Sequence, residues 1–280
     1  MPIDITFLGT GGAFCDFRQN YHNNVVVQAD GGLVLIDCGA TAVQSLKELG
    51  IPVWEIKAVI VTHMHGDHIG GLEQLIWERC YTGANPRVGA PMRPTKIIAP
   101  HSVLVGVRQM LTPCIDEYTT RHGVVRCAGY NTLVREQLLE PYDSAFMGGT
   151  QFRVYETPHV TGERVAKPSF GVLITDHVSN ARCIYTSDTT FRRNLLDEVC
   201  PDPELVFHDC SFAPRYHGTV HTHYEELLTL PDDVRARIIL MHHTKVPDHV
   251  DPIRDGFQGV AHRHETFTLG GGDHPIAAEE

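Results

Sequence analysis

The sequence lacks a long hydrophobic run, an excess of basic residues and any closely spaced pair of cysteines. No apolar stretch approaches the roughly 18 residues that a membrane-spanning helix needs. The 280 residues include 23 Lys and Arg against 34 Asp and Glu, which gives a formal net charge of −11. This balance argues against an extended nucleic-acid-binding face, because phosphate backbones are held mainly by Lys and Arg.

The first residues also lack the pattern of a secretory signal. The segment MPIDITFLGT has no basic region and is interrupted at Gly9, so it predicts a strand. The eight cysteines include no CxxC pair, and we expect reduced thiols packed as small hydrophobic groups rather than a disulfide framework. These features favour a cytoplasmic protein with no membrane partner.

Strands and helices alternate in both halves of the chain. Short apolar runs predict strands at 3–8, 24–29, 32–36, 56–61, 96–99, 152–156, 170–175, 181–187, 205–208 and 237–241, with helices at 42–49, 71–77, 191–199 and 224–230. This alternation without a clear linker favours one α/β domain over residues 1–280. Residues 102–142 mix helical patches with Pro113, Gly123 and Gly129, and we interpret them as an inserted lid or dimerisation element.

The chain is rich in histidine, with 18 in all, and the densest group is HMHGDH at residues 63–68. Three imidazoles and one carboxylate directly after a buried strand converge in a tight loop, and they are the donors that zinc-class ions prefer. A polar loop that is rich in histidine by chance is the alternative. The order H-x-H-x-D-H is far more specific than a lone pair and favours a metal site.

Three more donors follow predicted strands: His159, Asp188 and His242. Donors at the same ends of several strands of one sheet can meet in one cleft, which is where open α/β sheets usually place ligands. The sequence therefore predicts a metal centre built from distant parts of the chain.

The sequence resembles the metallo-β-lactamase superfamily, and within it the ribonuclease Z-like phosphodiesterases. The resemblance rests on FLGTGG (7–12), IDCG (36–39), THMHGDHIGGLE (62–73), PH (158–159), SDT (187–189), FHDCSF (207–212), HTHYEEL (221–227) and LMHHT (240–244). It implies an αββα sandwich, the metallo-β-lactamase fold.

The resemblance also implies two divalent metal ions. The ligand set falls on His63, His65 and His159 for one ion, on Asp67, His68 and His242 for the other, and on Asp188 as the bridge. Lactamases of the superfamily typically have cysteine at the position of Asp188, so the nitrogen and oxygen set here resembles the phosphodiesterase branch. We expect Zn²⁺ first and Mn²⁺ as the alternative, because carboxylate bridges suit both.

His242 and His243 compete for the last ligand position. Adjacent residues of a strand point to opposite faces, so only one can reach the metals. The family's corresponding segment aligns with residues 240–244 and selects His242. His243 would then be a core or supporting histidine.

Other residues receive roles from the same resemblance. In the ribonuclease Z group a histidine over the scissile phosphate falls at the position of His221, which we expect to be a general acid or phosphate anchor; a surface histidine in a turn is the alternative. We expect Asp37, His208, Asp209 and His223 to support the metal ligands and orient them.

This centre suits hydrolysis of a phosphodiester. A metal-bridging hydroxide would attack phosphorus, Asp67 would orient it and could accept its proton, and His221 would assist the leaving oxygen. Most of the interval between His159 and Asp188 is needed for two strands, which leaves no room for the long basic arm that grips tRNA in bacterial ribonuclease Z. A small cyclic phosphodiester is therefore favoured.

Three other functions stay open. One is tRNA 3′ processing of the ribonuclease Z type, for which Arg87, Arg93, Lys96 and Arg108 could supply a local basic patch. Another is thioester or sulfate-ester hydrolysis, and the third is metal binding without hydrolysis. Extended nucleic acid is the less expected partner.

The short spacing, FHDCSF and HTHYEEL are similar to the cyclic-nucleotide-degrading, anti-Pycsar members of the group. The resemblance implies cyclic mononucleotides as substrates. It also implies a homodimer, in which residues 102–142 form the lid or dimer element and Tyr118 and Tyr130 are available to stack on a base.

Overall fold

The computed structural model describes residues 2–82, 94–119, 125–127, 129–160, 167–214, 220–243 and 245–271. The strands are β1 (Ile3–Gly9), β2 (Asn24–Ala29), β3 (Gly32–Ile36), β4 (Ile56–Ile60), β5 (Thr95–Pro100), β6 (Glu117–Thr119), β7 (Val125–Cys127), β8 (Val134–Leu139), β9 (Ser144–Met147), β10 (Thr150–Val160), β11 (Lys167–Asp176), β12 (Arg182–Tyr185), β13 (Leu205–Asp209), β14 (Ile238–Met241), β15 (Gly259–Val260) and β16 (Thr266–Leu269). The helices are α1 (Ala42–Glu48), α2 (Gly66–Ile69), α3 (Leu72–Thr82), α4 (His101–Leu111), α5 (Tyr130–Leu133), α6 (Leu195–Val199), α7 (Tyr224–Leu227) and α8 (Asp232–Arg235).

Fourteen of the strands form two seven-stranded sheets. The first has the order β16-β1-β2-β3-β4-β5-β8 and the second β15-β14-β13-β12-β11-β10-β9, while β6 and β7 form a separate hairpin. Both sheets are mixed: β3, β4, β5 and β8 run parallel to one another, as do β12, β13, β14 and β15.

The central core lies between the two sheets. Alternate residues of β1, Ile3, Ile5 and Phe7, point into it and are almost fully buried, as the period of two in a strand requires. The ring of Phe7 meets Phe207 of the second sheet edge to face, with centroids 5.0 Å apart. Edge-to-face ring contacts of this kind hold the inner faces of the two sheets together.

Helices cover the outer face of each sheet. Apolar side chains of α1, α3 and α4 pack on the first sheet, and those of α6 and α7 pack on the second. The buried β4 residue Val59 belongs to the first outer layer, while its neighbours Ala58 and Ile60 belong to the central core. The layers are therefore helix, sheet, sheet, helix, which confirms the predicted αββα sandwich.

The structure divides the predicted insert at 102–142. Helix α4 packs on the first sheet, and β8 is the last strand of that sheet, parallel to β5. The ring of Tyr130 is buried and its hydroxyl donates to Glu136 Oε1 at 2.8 Å, so this tyrosine packs within the fold instead of presenting a stacking face. The side chain of Tyr118, like Arg87 and Arg93, lies outside the described residues.

Neither a membrane span nor a disulfide appears in the part of the chain described here. None of its helices is long and apolar enough to cross a bilayer. The seven cysteines whose side chains are described are all free thiols.

Candidate metal centre

The predicted metal-binding residues gather at one edge of the sandwich, where several parallel strands end. Strand β4 leads directly to His63 and His65, and His65 precedes the short helix α2, whose first turn carries Asp67 and His68. The second sheet contributes His159 from β10, Asp188 shortly after β12 and His242 directly after β14.

Four donor atoms form the first cluster. His65 Nδ1 lies 3.1 Å from both His63 Nε2 and His159 Nε2, and Asp188 Oδ2 lies 3.6 Å from the same two nitrogens. Donor atoms of all four residues are within 4.8 Å of one another. Three nitrogens and one oxygen at this spacing are a donor set that divalent ions of the zinc class accept.

The second cluster lies on the other side of Asp188. His68 Nε2 lies 3.2 Å from Asp188 Oδ1 and 3.4 Å from Asp67 Oδ2. His242 Nε2 lies 3.3 Å and 3.2 Å from the same two oxygens. Asp188 thus presents Oδ2 to the first cluster and Oδ1 to the second, and it is 1% exposed.

Hydrogen bonds fix which ring nitrogen faces each cluster. His159 Nδ1–H donates to the carbonyl of Val220 at 2.7 Å, and His68 Nδ1–H donates to Asp37 Oδ2 at 2.7 Å. In the neutral ring, each bond leaves the lone pair on Nε2, the nitrogen that lies in the cluster. Partners of this kind orient metal-binding histidines in other proteins.

The hydrogen bonds of Thr62 fix the orientation of the His63 ring in the same way. The Thr62 hydroxyl donates to Asp37 Oδ2 at 2.7 Å and accepts a bond from Ser187. Its contact of 3.0 Å with His63 Nδ1 is therefore a bond donated by the ring, and His63 Nε2 keeps its lone pair. Burial and the neighbouring His68 lower the pKa of His63 well below its usual value, so the ring is neutral, as a ligand must be.

The charge of the site fits a cation. Asp37, Asp67, Asp188 and Asp209 are all at most 5% exposed, and buried carboxylates are stable only when paired or bound to metal. Burial disfavours the charged form of His242, but Asp188 and its other carboxylate neighbours raise its pKa to about 10. A divalent ion would supply the same positive charge without a proton on the ligand nitrogen.

Two of the atoms that would bind metal also lack hydrogen bonds. His68 Nε2 and Asp188 Oδ1 are buried and have no hydrogen-bond partner among the described residues. Unsatisfied buried polar atoms are rare in folded proteins and call for a ligand. These residues therefore fit divalent metal binding.

The backbone at the site is strained. Asp37, Ser187 and His242 follow β3, β12 and β14 with φ angles of 63°, 53° and 57°. Residues other than glycine seldom adopt this left-handed region, and such strain concentrates at functional sites. Here it turns the chain at the strand ends that carry the donors.

Asn24 is a functional residue that the sequence analysis missed. Its buried amide donates to the carbonyl of Asp67 at 3.2 Å, and its Oδ1 accepts from the Gly39 N–H at 2.7 Å. It therefore fastens the IDCG turn to the loop that carries Asp67. An asparagine at the start of a strand gives no signal of this role in a single sequence.

Gly39 leaves no space for a side chain. A Cβ atom there would lie 1.9 Å from the carbonyl oxygen of Asp67. We expect Gly39→Ala to lower the free energy of unfolding by about 1–3 kcal/mol or more, because this overpacking must displace backbone, and to weaken metal binding. Thermal denaturation and metal titration measure both effects. Gly66→Ala is the matched control, since nothing lies within 4 Å of its added carbon; equal effects from both variants would contradict the prediction.

Asp37 supports the ligands from below the site. Its Oδ1 accepts from the Thr62 N–H at 2.8 Å, and its Oδ2 accepts from Thr62 Oγ1 and His68 Nδ1. We expect Asp37→Asn to weaken metal affinity by about 10- to 100-fold, as loss of such a partner typically does. Competition with a chelating dye measures the change. Asp202→Asn, a change on the surface, is the control, and unchanged affinity in Asp37→Asn would count against this role.

His221 lies beside both clusters and is paired with Asp209. Its Nδ1–H donates to Asp209 Oδ2 at 3.0 Å, and Nδ1 lies 3.9 Å from Asp188 Oδ2. Burial disfavours the charged ring, but the carboxylate of Asp209 outweighs it and raises the pKa of His221 above its usual value. The side chain is 31% exposed, so the ring borders both the metal centre and solvent.

Asp209 orients three neighbours. Besides His221, it accepts from the Thr189 N–H at 2.9 Å through Oδ2, and its Oδ1 lies 3.4 Å from His242 Nδ1. Donor atoms of Asp209, His221 and His242 form a third group within 4.8 Å. The predicted supporting position of Asp209 thus has a direct geometric basis.

The remaining predicted histidines lie further from the donor atoms. His208 Nδ1–H donates to the carbonyl of Asp209 at 2.8 Å, so it supports backbone. His223 caps α7, with its N–H donating to Glu226 Oε2 at 3.0 Å. His243 Nε2 contacts the carbonyl of Ala261 at 3.3 Å, and His242 is the residue of that pair brought to the clusters.

The fold and the site define a metal-dependent hydrolase of the metallo-β-lactamase fold. Solved structures of this fold superpose on nearly the whole chain. YhfI, a metallo-β-lactamase fold protein from Bacillus subtilis, has a TM-score of 0.72 and 18% identity over 96% of this chain and 100% of that one. A diphosphatase of the PhnP family has a TM-score of 0.68 and 19% identity, over 96% and 98%.

The sequence comparison is more specific. The profile of the family described as anti-Pycsar protein Apyc1 matches residues 3–267. The anti-Pycsar protein Apyc1 of Paenibacillus sp. (strain J14) is 31% identical over 274 residues, which cover 96% of this chain and all of that protein. The chain therefore belongs to the Apyc1 family, and the predicted resemblance is confirmed.

Proposed function

We propose that this protein is a phosphodiesterase that hydrolyses cyclic mononucleotides with two divalent ions, Zn²⁺ first and Mn²⁺ as the alternative. The two clusters would each hold one ion, and Asp188 would bridge them. The observation that carries the proposal is the placement of one oxygen of Asp188 in each cluster. A pair of ions suits a phosphodiester, whose attacking and leaving oxygens both need stabilisation.

When bound, the ions would polarise the phosphate and lower the pKa of a water molecule. Side chains of the protein would orient the water molecule and transfer the protons. Asp67, 5% exposed and held by its neighbours, orients the attacking water and accepts its proton. His221 keeps its Nδ1–H on Asp209, which leaves Nε2 to donate a proton to the leaving oxygen.

Several features favour a small diester over tRNA. Strands β11 and β12 occupy half of the interval between His159 and Asp188, which leaves little chain for a long tRNA-gripping arm. The net charge of −11 disfavours a long polyanion. Two relatives that match over 96% of the chain are named anti-Pycsar proteins, and the motifs at 207–212 and 221–227 resemble that group.

The test is a panel of substrates offered to Zn²⁺- and Mn²⁺-loaded protein. The panel contains 3′,5′- and 2′,3′-cyclic nucleotides, cyclic dinucleotides, a precursor tRNA, and thioester and sulfate-ester substrates. We expect the hydrolysis rate of 3′,5′-cyclic mononucleotides to exceed that of the other substrates by orders of magnitude. We also expect His65→Ala to abolish the activity. Trailer removal from the tRNA, or thioester turnover alone, would overturn the proposal, and so would binding of cyclic nucleotide by the metal-loaded protein without hydrolysis.

We also propose a homodimer acting in the cytoplasm, with part of residues 102–142 as the lid or dimer element. Among the described residues of this segment, β6 and β7 pair with each other and with neither main sheet. Sedimentation of the intact protein tests the dimer directly. A monomer at micromolar concentration would remove this part of the proposal.

A further inference from the structure

The connection between β1 and β2, residues 10–23, is far longer than the roughly two to five residues of an ordinary hairpin loop. It lies against the metal centre. A carbon added at Gly12 would come within 3.4 Å of His242 Cε1, and the His243 N–H donates to the carbonyl of Thr10 at 2.9 Å. The loop is therefore fixed beside a proposed metal ligand. Long connections of this kind often carry function.

A cavity of about 380 Å³ lies between this loop and the segment after β14. Its lining consists of Phe14, Cys15, Asp16, Gln19, Asn20, His243 and Lys245. The volume falls in the range of small-molecule sites, which start at about 300 Å³. Gly12, in the same loop as five of the lining residues, lies against the His242 ring, so the cavity lies near the second cluster.

Phe14 is fully exposed at this cavity. Phe17, on the same loop, is instead half-exposed and packs edge to face on the ring of His22, with centroids 4.8 Å apart. An aromatic side chain that is left without packing at a cavity offers a flat apolar surface to a ligand. Nucleobases stack on such rings whatever the pattern of hydrogen-bond donors and acceptors on the base.

Other lining groups give the cavity a fixed shape and a polar edge. The Asn20 amide donates to Thr10 Oγ1 at 2.8 Å, and its Oδ1 accepts from the Tyr21 N–H at 2.8 Å, so Asn20 holds the loop in place. Lys245 is exposed and its Nζ lies 3.0 Å from exposed Asp248 Oδ1, an interaction of small strength. One cation and one carboxylate, Lys245 and Asp16, with amides and an aromatic ring suit a base better than a second phosphate.

We propose that this cavity binds the nucleobase of the substrate, with Phe14 stacked on the base while the cyclic phosphate lies at the metal centre. This inference rests on the proposed function and specifies its substrate: a diester that carries a base, recognised by ring stacking more than by hydrogen bonds. Such a site accepts several bases with similar affinity, because every base has a π-face.

The test compares Phe14→Ala with the unchanged protein on two substrates. One is a 3′,5′-cyclic mononucleotide; the other is methyl β-D-ribofuranoside 3′,5′-cyclic phosphate, which keeps the sugar and cyclic diester but has no base. We expect KM for the nucleotide to rise roughly 5- to 150-fold, the range for loss of one stacked base, with little change for the baseless diester. Binding of a hydrolysis-resistant phosphorothioate cyclic nucleotide, measured by calorimetry, should weaken by the same factor.

Two further variants complete the design. Phe14→Trp keeps a stacking face and should retain affinity, and Phe146→Ala removes another exposed phenylalanine, on β9, and should change nothing. Unaltered KM and binding in Phe14→Ala, or equal losses on both substrates, would overturn the inference while hydrolysis by the unchanged protein upholds the proposed function. Failure of the unchanged protein to bind or hydrolyse any cyclic nucleotide would overturn both.

Discussion

Replacing Asp188 with alanine should remove both metal ions and abolish hydrolysis. Oδ2 of this side chain lies in the cluster of His63 and His159, and Oδ1 lies in that of His68 and His242. Its loss takes one donor and one negative charge from each cluster at once. We expect activity to fall by more than the roughly 10²- to 10⁴-fold that a single proton-transfer group contributes. Elemental analysis and turnover assays on the same preparation measure the result.

Asp67→Ala provides the matched comparison. Among the described residues, the nitrogens that its Oδ2 contacts belong to His68 and His242 of the second cluster. This variant should therefore keep close to one ion per chain while Asp188→Ala keeps almost none. Circular dichroism of both variants checks whether they fold. Two retained ions in Asp188→Ala, or equal metal content in the two variants, would contradict the bridging position.

The donors of the metal centre were predictable because each stands in a local pattern. HMHGDH places four of them in one loop after an apolar strand, and Asp188 and His242 follow apolar strands of their own. Parallel strands end at the same edge of a sheet, so side chains that follow them meet without any further information. The pattern predicts where the donors meet, and the structure shows which nitrogen each ring presents.

The partners of those donors were harder to predict. Asn24 joins Gly39 to Asp67 across 43 residues of chain, from Asn24 to Asp67, and Asn23 donates to Tyr185 Oη across 162 residues. Such bonds depend on how the two sheets are placed, which no local period encodes. Burial of Asn24 is invisible in a sequence because asparagine is usually exposed.

The fold class was also easier to predict than its edges. The alternation of apolar strands and helices indicated two packed layers, and the strong buried strands were found. Strand β16 was not predicted, and it pairs with β1 from the far end of the chain, Ile3 opposite Leu269. Strand β8 lay inside the presumed insert, because Val134–Leu139 carries Arg, Glu and Gln between apolar ends. Edge strands with mixed polarity carry weak signals, since half of their surface faces solvent.

The second large effect should come from His221→Ala, which we expect to lower kcat for a cyclic nucleotide by about 10²- to 10⁴-fold while both metal ions stay bound. His221 is 31% exposed and held by Asp209. Both clusters include Asp188, but neither includes a nitrogen of His221. Metal analysis beside turnover separates this variant from the ligand variants. His177→Ala is the control, because that ring bonds Gln151 in an exposed turn.

The leaving group decides between the two roles open to His221. A ribose oxygen needs a proton as it departs, whereas p-nitrophenolate departs readily without one, so loss of a general acid should cost much less with bis(p-nitrophenyl) phosphate. Loss of a phosphate anchor should cost the same with both substrates. The Nδ1–H bond to Asp209, which raises the pKa of His221 and keeps the ring protonated more of the time, favours the acid role. Unchanged turnover of the cyclic nucleotide in His221→Ala would exclude both.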